Sequence, residues 1–380
     1  MSEVLHFRGF IRGIHYRAYL AKTLKPTAWQ DFDVNNCDRA GLIDFRDKEL
    51  AYSIWVSPKR TRSYPFARIY NTYNASKKIT IIPILKDEGK DGDRDRLQYS
   101  TFSWMNLLNT YVVLGYYSDA ERNPRTKKKK ITNQKFDNSF VRHQIEEIAN
   151  YHQSALHWNR NLLDDRFTQI LECALAAYDR IAKKTSISLH SREGMDRYLQ
   201  TIRRNLEKFK DISLKGSQNA SRREAVTSHA LEHLVKGRKA TFAIENYLGG
   251  IYYLTPDEII LDNNDYIIQE SKNNSKKLKN RSIPLLPGRN DILDGLFKLI
   301  LFSNIDCLTL NNQPVNFSTR LKLTSTGIRD KIILPQSKYK IQSFLALNNW
   351  SHSETKKELV ELLNLEARQN SKLQIEISGN

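Results

Sequence analysis

The pattern of apolar and polar positions changes character along the chain. Over the first 125 residues, short apolar runs separated by polar segments predict mixed α/β structure. Runs rich in Ile, Thr and Tyr predict strands at 67–73 and 78–85, and a third strand at 111–117 follows a predicted helix at 99–109. From about residue 138 to residue 234 the apolar residues recur at helical spacing, which predicts a helical region.

Short strands return after Gly249 and Gly250. The pattern that follows predicts, in order, strands at 251–255, 258–261 and 266–273, a helix at 291–302, strands at 307–310 and 320–324, and a helix at 353–363. A polar tail is expected to close the chain. The fold class predicted from these changes is α/β (α+β).

The length of the chain favours more than one domain. A single hydrophobic core usually stops growing below 380 residues. The sequence divides into an N-terminal α/β region at 1–137, a helical region at 138–218, a compact core at 219–335, and a C-terminal helix with a polar tail at 336–380.

The charge balance points to a polyanionic partner. Sixty Lys and Arg residues against 42 Asp and Glu residues give a net charge of +18, which attracts nucleic acid or an anionic membrane surface. A membrane-spanning segment needs about 18 consecutive apolar residues. The longest apolar run, 296–305, is interrupted by Lys298. Nucleic acid is therefore the expected partner.

The cysteines and the N-terminus favour a cytoplasmic protein. Cys37, Cys173 and Cys307 are scattered and have no paired spacing, which argues against a zinc motif and a disulfide framework. The first residues lack a charged segment followed by an apolar segment, so no secretory signal is expected.

The residues that suggest chemistry lie in a predicted hairpin. Asn263 and Asn264 separate two apolar runs and favour a tight turn between strands. Glu270 and Lys272 are two residues apart on the second strand, so they share one face. Asp257 begins the first strand and can meet Glu270 if the strands pair. The hairpin therefore brings two carboxylates and one ammonium together.

This combination suits phosphodiester hydrolysis. Carboxylate oxygens are the ligands that Mg²⁺ prefers, and Mn²⁺ can replace Mg²⁺ at such sites. A bound metal can lower the pKa of a water and stabilise charge on a phosphodiester. A nearby lysine can hold that water and offset the charge that develops on phosphorus.

The same residues resemble the PD-(D/E)XK nucleases, which include most type II restriction endonucleases. Pro256-Asp257, twelve further residues and then Glu270-Ser271-Lys272 match the family motif. The resemblance covers about residues 220–330 and implies a PD-(D/E)XK restriction-endonuclease-like core. It also implies that Asp257 and Glu270 bind Mg²⁺ and that Lys272 positions the attacking water.

The family often has a further acid on a helix before the motif strands. Glu232 is the candidate here, and Glu245 is its rival. The resemblance implies a site-specific endonuclease that cuts double-stranded DNA as a homodimer, with a DNA methyltransferase in the same system.

Several alternatives remain open at the level of sequence. The hairpin can instead be a solvated turn with an ion pair between Glu270 and Lys272. A second group of acids, Asp87, Glu88, Asp119 and Glu121, also follows predicted strands but lacks a lysine, since the neighbouring Arg122 stays charged. The protein can also be a transposon, repair or mobile-element nuclease, a DNA-binding protein with an inactive nuclease core, or an enzyme acting on RNA.

The N-terminal region, 1–137, is expected to recognise DNA. Lys59, Arg60 and Arg62 alternate with hydroxyl side chains before Tyr64, a composition suited to phosphate and base-edge contacts. The alternative is an ordinary solvated surface.

Overall fold

The structure is a computed structural model. It describes residues 4–59, 64–125, 129–195, 238–246, 251–274, 277–278, 281–282 and 284–379. These residues form a mixed α/β protein with several mixed sheets, which confirms the predicted fold class at this level.

The first strand begins at Leu5 and the last ends at Gly379. In chain order the strands are β1 (Leu5–Ile11), β2 (Pro26–Ala28), β3 (Ala40–Phe45), β4 (Lys48–Ile54), β5 (Lys78–Pro83), β6 (Leu85–Asp87), β7 (Arg94–Arg96), β8 (Tyr111–Gly115), β9 (Tyr117–Arg122), β10 (Ile131–Phe136), β11 (Ala240–Asn246), β12 (Ile251–Leu254), β13 (Glu258–Asp262), β14 (Asp265–Asn273), β15 (Lys277–Leu278), β16 (Arg281–Ser282), β17 (Cys307–Leu310), β18 (Gln313–Pro314), β19 (Phe317–Ser325), β20 (Lys331–Leu334) and β21 (Leu373–Gly379).

The helices lie between these strands. They are α1 (Pro65–Thr72), α2 (Tyr99–Leu107), α3 (Asn138–Ala149), α4 (Ala155–Asn161), α5 (Phe167–Thr185), α6 (Arg289–Ser303), α7 (Lys338–Leu347) and α8 (Glu354–Gln369), with a 3-10 turn at Trp29–Asp31 and a π-helical turn at Leu162–Arg166.

The chain forms two compact units, and one is inserted into the other. The composite unit joins Met1–Lys22 to Gly216–Asn380, and the inserted unit is Thr23–Lys215. Of the boundaries predicted from sequence at 137, 218 and 335, the one at 218 lies close to the division at 215–216, the other two have no counterpart, and the division at 22–23 was not predicted. The reason is pairing between distant segments: β1 lies between β11 and β17, and β21 lies between β19 and β20.

The composite unit contains two five-stranded sheets. One has the order β12-β11-β1-β17-β18, and the other has the order β13-β14-β19-β21-β20. In the second sheet β14, β19 and β21 are parallel, and the outer strands β13 and β20 are antiparallel to their neighbours. Helix α6 lies between β14 and β19 in the chain, with β17 and β18 of the first sheet following the helix, and its apolar face is fully buried.

The inserted unit has its own sheet and core. Its strands have the order β2-β3-β4-β5-β8, and β4, β5 and β8 are parallel. Helices α1 and α2 are the connections between these parallel strands. Buried aromatic and aliphatic side chains such as Trp55, Trp104 and Ile81 form the core of this unit.

Two predicted elements are wrong, and both have a local cause. The predicted strand at 67–73 is helix α1, because Tyr64 adopts a left-handed conformation and Pro65 then begins the helix. The expected polar tail contains β21, where Leu373, Ile375 and Ile377 are buried. This alternation of apolar and polar residues is a strand pattern.

The last part of the predicted helical region, residues 196–234, lies outside the described residues. In the part of the chain that is described, no helix is both long and apolar enough to cross a membrane.

Candidate active site

The predicted hairpin is present and forms one edge of the second sheet of the composite unit. β13 and β14 pair in an antiparallel register that sets Glu258 opposite Gln269. Asn263 and Asn264 form the turn with φ angles of 47° and 71°. Two successive positive φ angles are what a tight two-residue hairpin turn requires, and Asn tolerates them better than most residues.

Asp257 lies at the open end of this hairpin, next to the acid and lysine of β14. Its Oδ2 accepts a hydrogen bond from the backbone N–H of Ser271 at 2.7 Å, and Ser271 is the residue between Glu270 and Lys272. The Asp257 backbone carbonyl accepts a hydrogen bond from Lys239 Nζ at 2.8 Å. The first contact holds Asp257 against β14, and the second holds it against Lys239, the residue before β11.

Glu270 is completely buried and pairs with a lysine that lies on helix α6. Lys298 Nζ lies 3.2 Å from Glu270 Oε1 and 3.1 Å from Oε2, so one ammonium contacts both carboxylate oxygens. The Glu270 side chain has 0% exposure, and that of Lys298 has 28%. A buried carboxylate without a counter-charge would be costly, and Lys298 supplies that charge.

The surroundings of Glu270 shift its affinity for protons. The net effect raises the pKa of Glu270 from 4.5 to about 7: burial raises it most, Lys298 lowers it, the Asp257 carboxylate raises it, and Lys272 lowers it. Asp257 and Lys272 are therefore close enough to Glu270 to change its pKa. The expected trio is brought together at one end of the hairpin.

Lys272 points to the same face as Glu270 and packs against helix α6. The helix approaches closely because Gly295 faces it: a Cβ added at Gly295 would lie 3.2 Å from Lys272 Cε and 2.7 Å from Leu321 Cδ1. The absence of a side chain at residue 295 thus leaves the space in which Lys272 lies. The alternative ion pair within the hairpin, between Glu270 and Lys272, is not formed; Glu270 pairs with Lys298 instead.

The additional acid is not found among the described residues. Glu245 is exposed on β11, which belongs to the other sheet of the composite unit. Glu232 lies outside the described residues. Within the described part of the chain, no group of three or more His, Cys, Asp or Glu side chains is arranged to hold a metal ion.

The second group of acids is occupied by local contacts in the inserted unit. Asp87 Oδ1 accepts a hydrogen bond from Gly89 N at 2.9 Å and pairs with His190 Nδ1 at 2.8 Å. Asp119 pairs with Lys184 at 2.5 Å. Each of these contacts holds a loop or strand in place, and in the described part of the chain these acids form no group of three that could hold a metal ion.

The predicted DNA-contacting residues are only partly described. Lys59 is half-exposed and its Nζ lies 3.7 Å from Asp95 Oδ1, a buried carboxylate that also accepts a hydrogen bond from Ser57. Arg60 and Arg62 lie outside the described residues. Contact between Lys59 and DNA stays a prediction.

Lys298 is the site residue that was not predicted from the sequence. The signal was present, since Lys298 is the one lysine in the apolar run at 296–305. Such a residue on a buried helix face requires a partner for its charge. Its partner could not be read from spacing alone, because Glu270 lies 28 residues earlier in the chain.

Comparisons with protein-family models, with curated proteins and with solved structures find no match to this chain.

Proposed function

We propose that this protein is a magnesium-dependent DNA endonuclease of the PD-(D/E)XK type, with Asp257, Glu270 and Lys272 as its active site. The observation that carries the proposal is the pairing of β13 with β14, which sets Asp257 beside the Glu270-Ser271-Lys272 segment. The hairpin, helix α6 and the parallel strand β19 follow one another in the order expected of such a core, with β17 and β18 of the other sheet inserted between α6 and β19.

The donor set fits a magnesium ion. Mg²⁺ usually binds one or two protein carboxylates and completes its shell with waters and substrate phosphate oxygens. Asp257 and Glu270 supply two such carboxylates, and the Lys298 ammonium beside Glu270 indicates that this position favours positive charge. When bound, Mg²⁺ would supply a water of lowered pKa and stabilise the negative charge of the phosphodiester. Mn²⁺ is expected to replace it.

The protein residues have separate roles in this proposal. Asp257 and Glu270 hold the metal, and the Ser271 N–H keeps the Asp257 carboxylate oriented. Lys272 holds the attacking water and offsets the charge that develops on the scissile phosphate. Lys298 stabilises the ionised form of Glu270, the form that binds a metal.

Double-stranded DNA is the proposed substrate, and a type II restriction enzyme is the proposed class. The net charge of +18 supports a nucleic-acid substrate, and the inserted unit provides surface beyond the small catalytic core for reading a site. A homodimer would cut both strands of a symmetric site with two equivalent active sites. A cognate DNA methyltransferase is then expected in the same system.

One observation favours a second candidate, a DNA-binding protein without hydrolytic activity. Both oxygens of Glu270 are already in contact with Lys298, and this carboxylate has no exposed surface. If Lys298 keeps this position when DNA is bound, Glu270 cannot serve as a metal ligand.

Cleavage of a long, sequence-diverse DNA tests both candidates. The wild type is expected to give discrete bands with Mg²⁺ and none with EDTA, and Lys272→Ala is expected to lose cleavage by at least about a hundredfold. Lys322→Ala is the matched control, because Lys322 pairs in register with Ser271 and therefore lies on the opposite face of the same sheet. A smear of products whose formation requires Lys272 would support the proposed active site but contradict site-specific cleavage. DNA binding without any cleavage would support the second candidate.

A further inference from the structure

The inserted unit contains a cleft that has no part in the proposed nuclease site. Its volume is about 350 Å³, which is within the range of small-molecule sites. The buried side chains of Tyr117, Ile131 and Phe136 line its apolar part. Arg39 and Lys135, which also line it, are exposed.

The single acid in the lining is already neutralised. Glu88 pairs with Lys86 at 3.0 Å and with Lys130 at 3.9 Å. The remaining charged residues of the lining, Arg39 and Lys135, are both cations. The cleft therefore has an excess of positive charge.

The side chains of Arg39 and Lys135 make no hydrogen bond or ion pair with any residue in the described part of the chain. The hydrogen bond from Lys184 is the main cause that lowers the pKa of the Asp119 carboxyl, and the Lys135 ammonium adds a smaller effect without pairing with that carboxylate. Two cations without partners on one concave surface are suited to an anion that contacts both.

The shape of the cleft is held by hydrogen bonds that do not involve these cations. The Asn35 side chain accepts from Phe136 N at 2.7 Å and donates to Phe136 O at 3.0 Å. The Tyr117 hydroxyl donates to Val56 O at 2.9 Å. Because these groups are already paired, the hydroxyl of Thr132 and the two cations are the groups left to bind a ligand. The walls of the cleft are therefore ordered before a ligand binds, and the side chains of Arg39 and Lys135 are the groups that binding has to order.

We infer that this cleft binds the phosphate of a nucleotide, with Arg39 and Lys135 contacting the phosphate oxygens and the Thr132 hydroxyl donating a further hydrogen bond. The apolar surface of Tyr117 and Ile131 accommodates the sugar or base that carries the phosphate. Two sources share this chemistry, a free mononucleotide and the backbone of DNA. Binding at the cleft does not depend on nuclease activity, because no residue of the cleft belongs to the composite unit.

The test is calorimetric titration of the full chain with dAMP and with a short DNA duplex, in EDTA so that Asp257 and Glu270 hold no metal. The double variant Arg39→Gln/Lys135→Gln is compared with Arg125→Gln/Lys183→Gln, which removes the same charge from exposed positions of the inserted unit outside the cleft. We expect the first double variant to bind at least about tenfold more weakly than the wild type, and the control to change by less than about twofold.

The two probes separate the two sources of phosphate. Loss of dAMP binding in the cleft variant, together with competition by inorganic phosphate, supports a mononucleotide site. Loss confined to the duplex supports a contact with the DNA backbone. Equal weakening by both double variants, or no saturable binding of either probe by the wild type, would overturn the inference. Plasmid cleavage by the cleft variant is measured in parallel. It distinguishes a loss of binding at the cleft from a failure of the proposed active site.

Discussion

Lys298 stabilises a charge that has no contact with solvent, so its removal should act through protonation of Glu270. Lys298 lowers the pKa of Glu270, and a Lys298→Met substitution removes that effect while keeping an apolar stem of similar length. More Glu270 will then be protonated at neutral pH and unable to bind metal. We expect cleavage at pH 7 to fall at least about tenfold and to recover in part at higher pH. A pH–rate profile at saturating Mg²⁺ measures this shift.

A second lysine in the same sheet provides the control for Lys298. Lys331 pairs with the buried Glu376 at 3.1 Å, and it lies on the outer strand β20. Lys331→Met also removes an ammonium from a buried glutamate, although Arg320 still contacts Glu376, and β20 is the strand farthest from the hairpin in the sheet order. The pH–rate profile of this variant should therefore keep its wild-type midpoint. An unchanged profile for Lys298→Met would show that Glu270 does not depend on this ammonium.

The raised pKa of Glu270 also predicts how stability depends on pH. A carboxyl whose pKa is raised by folding binds more protons in the folded state, so the free energy of unfolding falls as pH rises between the two pKa values. For Glu270 these values are 4.5 and about 7. The difference of about 2.5 between the two pKa values corresponds to a loss on the order of 3 kcal/mol.

Glu270→Gln isolates that contribution from all other titrating groups. Urea unfolding in EDTA, from pH 4.5 to pH 8, is expected to show the stability of the wild type falling relative to the variant over this window. A constant difference between the two proteins across the window would mean that Glu270 keeps an ordinary pKa in the folded chain.

At the scale of elements, patterns within a few residues were sufficient to predict individual strands and helices. Contacts between segments that are distant in the chain could not be predicted from them. Strands β13 and β14 and helix α6 were predicted because each has its period within a few residues. The partner of Glu270 was not predicted, because the contact between β14 and α6 depends on how the helix returns to the sheet. Strand β21 was missed although its apolar residues alternate, since its short polar sequence resembles a tail until β19 and β20 are known to flank it.

The contact between helix α6 and strand β14 gives a further prediction at the same scale. In Gly295→Ala, the higher helix propensity of alanine should stabilise helix α6 by about 1 kcal/mol. The added methyl group would, however, overlap sterically with Leu321 and contact Lys272 closely. We expect the melting temperature to change little and the cleavage rate to fall, because Lys272 must move. The double variant Gly295→Ala/Leu321→Val relieves only the contact with Leu321. If that second change restores full activity, displacement of Lys272 is not the cause.

At the scale of the whole molecule, no pattern in the sequence indicates that the two ends of the chain share one unit. Parallel pairing between β1 and β11 joins residues as distant in the chain as Leu5 and Ala240. The periodicity within either strand does not indicate which strand it pairs with. Buried polar contacts add to this connection: Glu366 on helix α8 accepts hydrogen bonds from the Tyr16 hydroxyl at 2.5 Å and from Tyr19 N at 2.6 Å. A buried carboxylate that loses such donors is left unpaired, at a substantial cost in stability.

The insertion therefore predicts which fragments fold. Residues 216–380 alone lack the central strand of one sheet, so they should not unfold cooperatively. Joining residues 1–22 to 216–380 through a short Gly-Ser linker should restore a cooperative transition, and residues 23–215 should show one alone because their sheet is complete. Urea unfolding followed by circular dichroism compares the three chains.

The Phe7→Asp variant of the joined chain is the control, since it places a charge at a buried position of β1. Cooperative unfolding of 216–380 without residues 1–22 would contradict this prediction, because β1 would then add nothing essential to the fold that holds Asp257, Glu270 and Lys272.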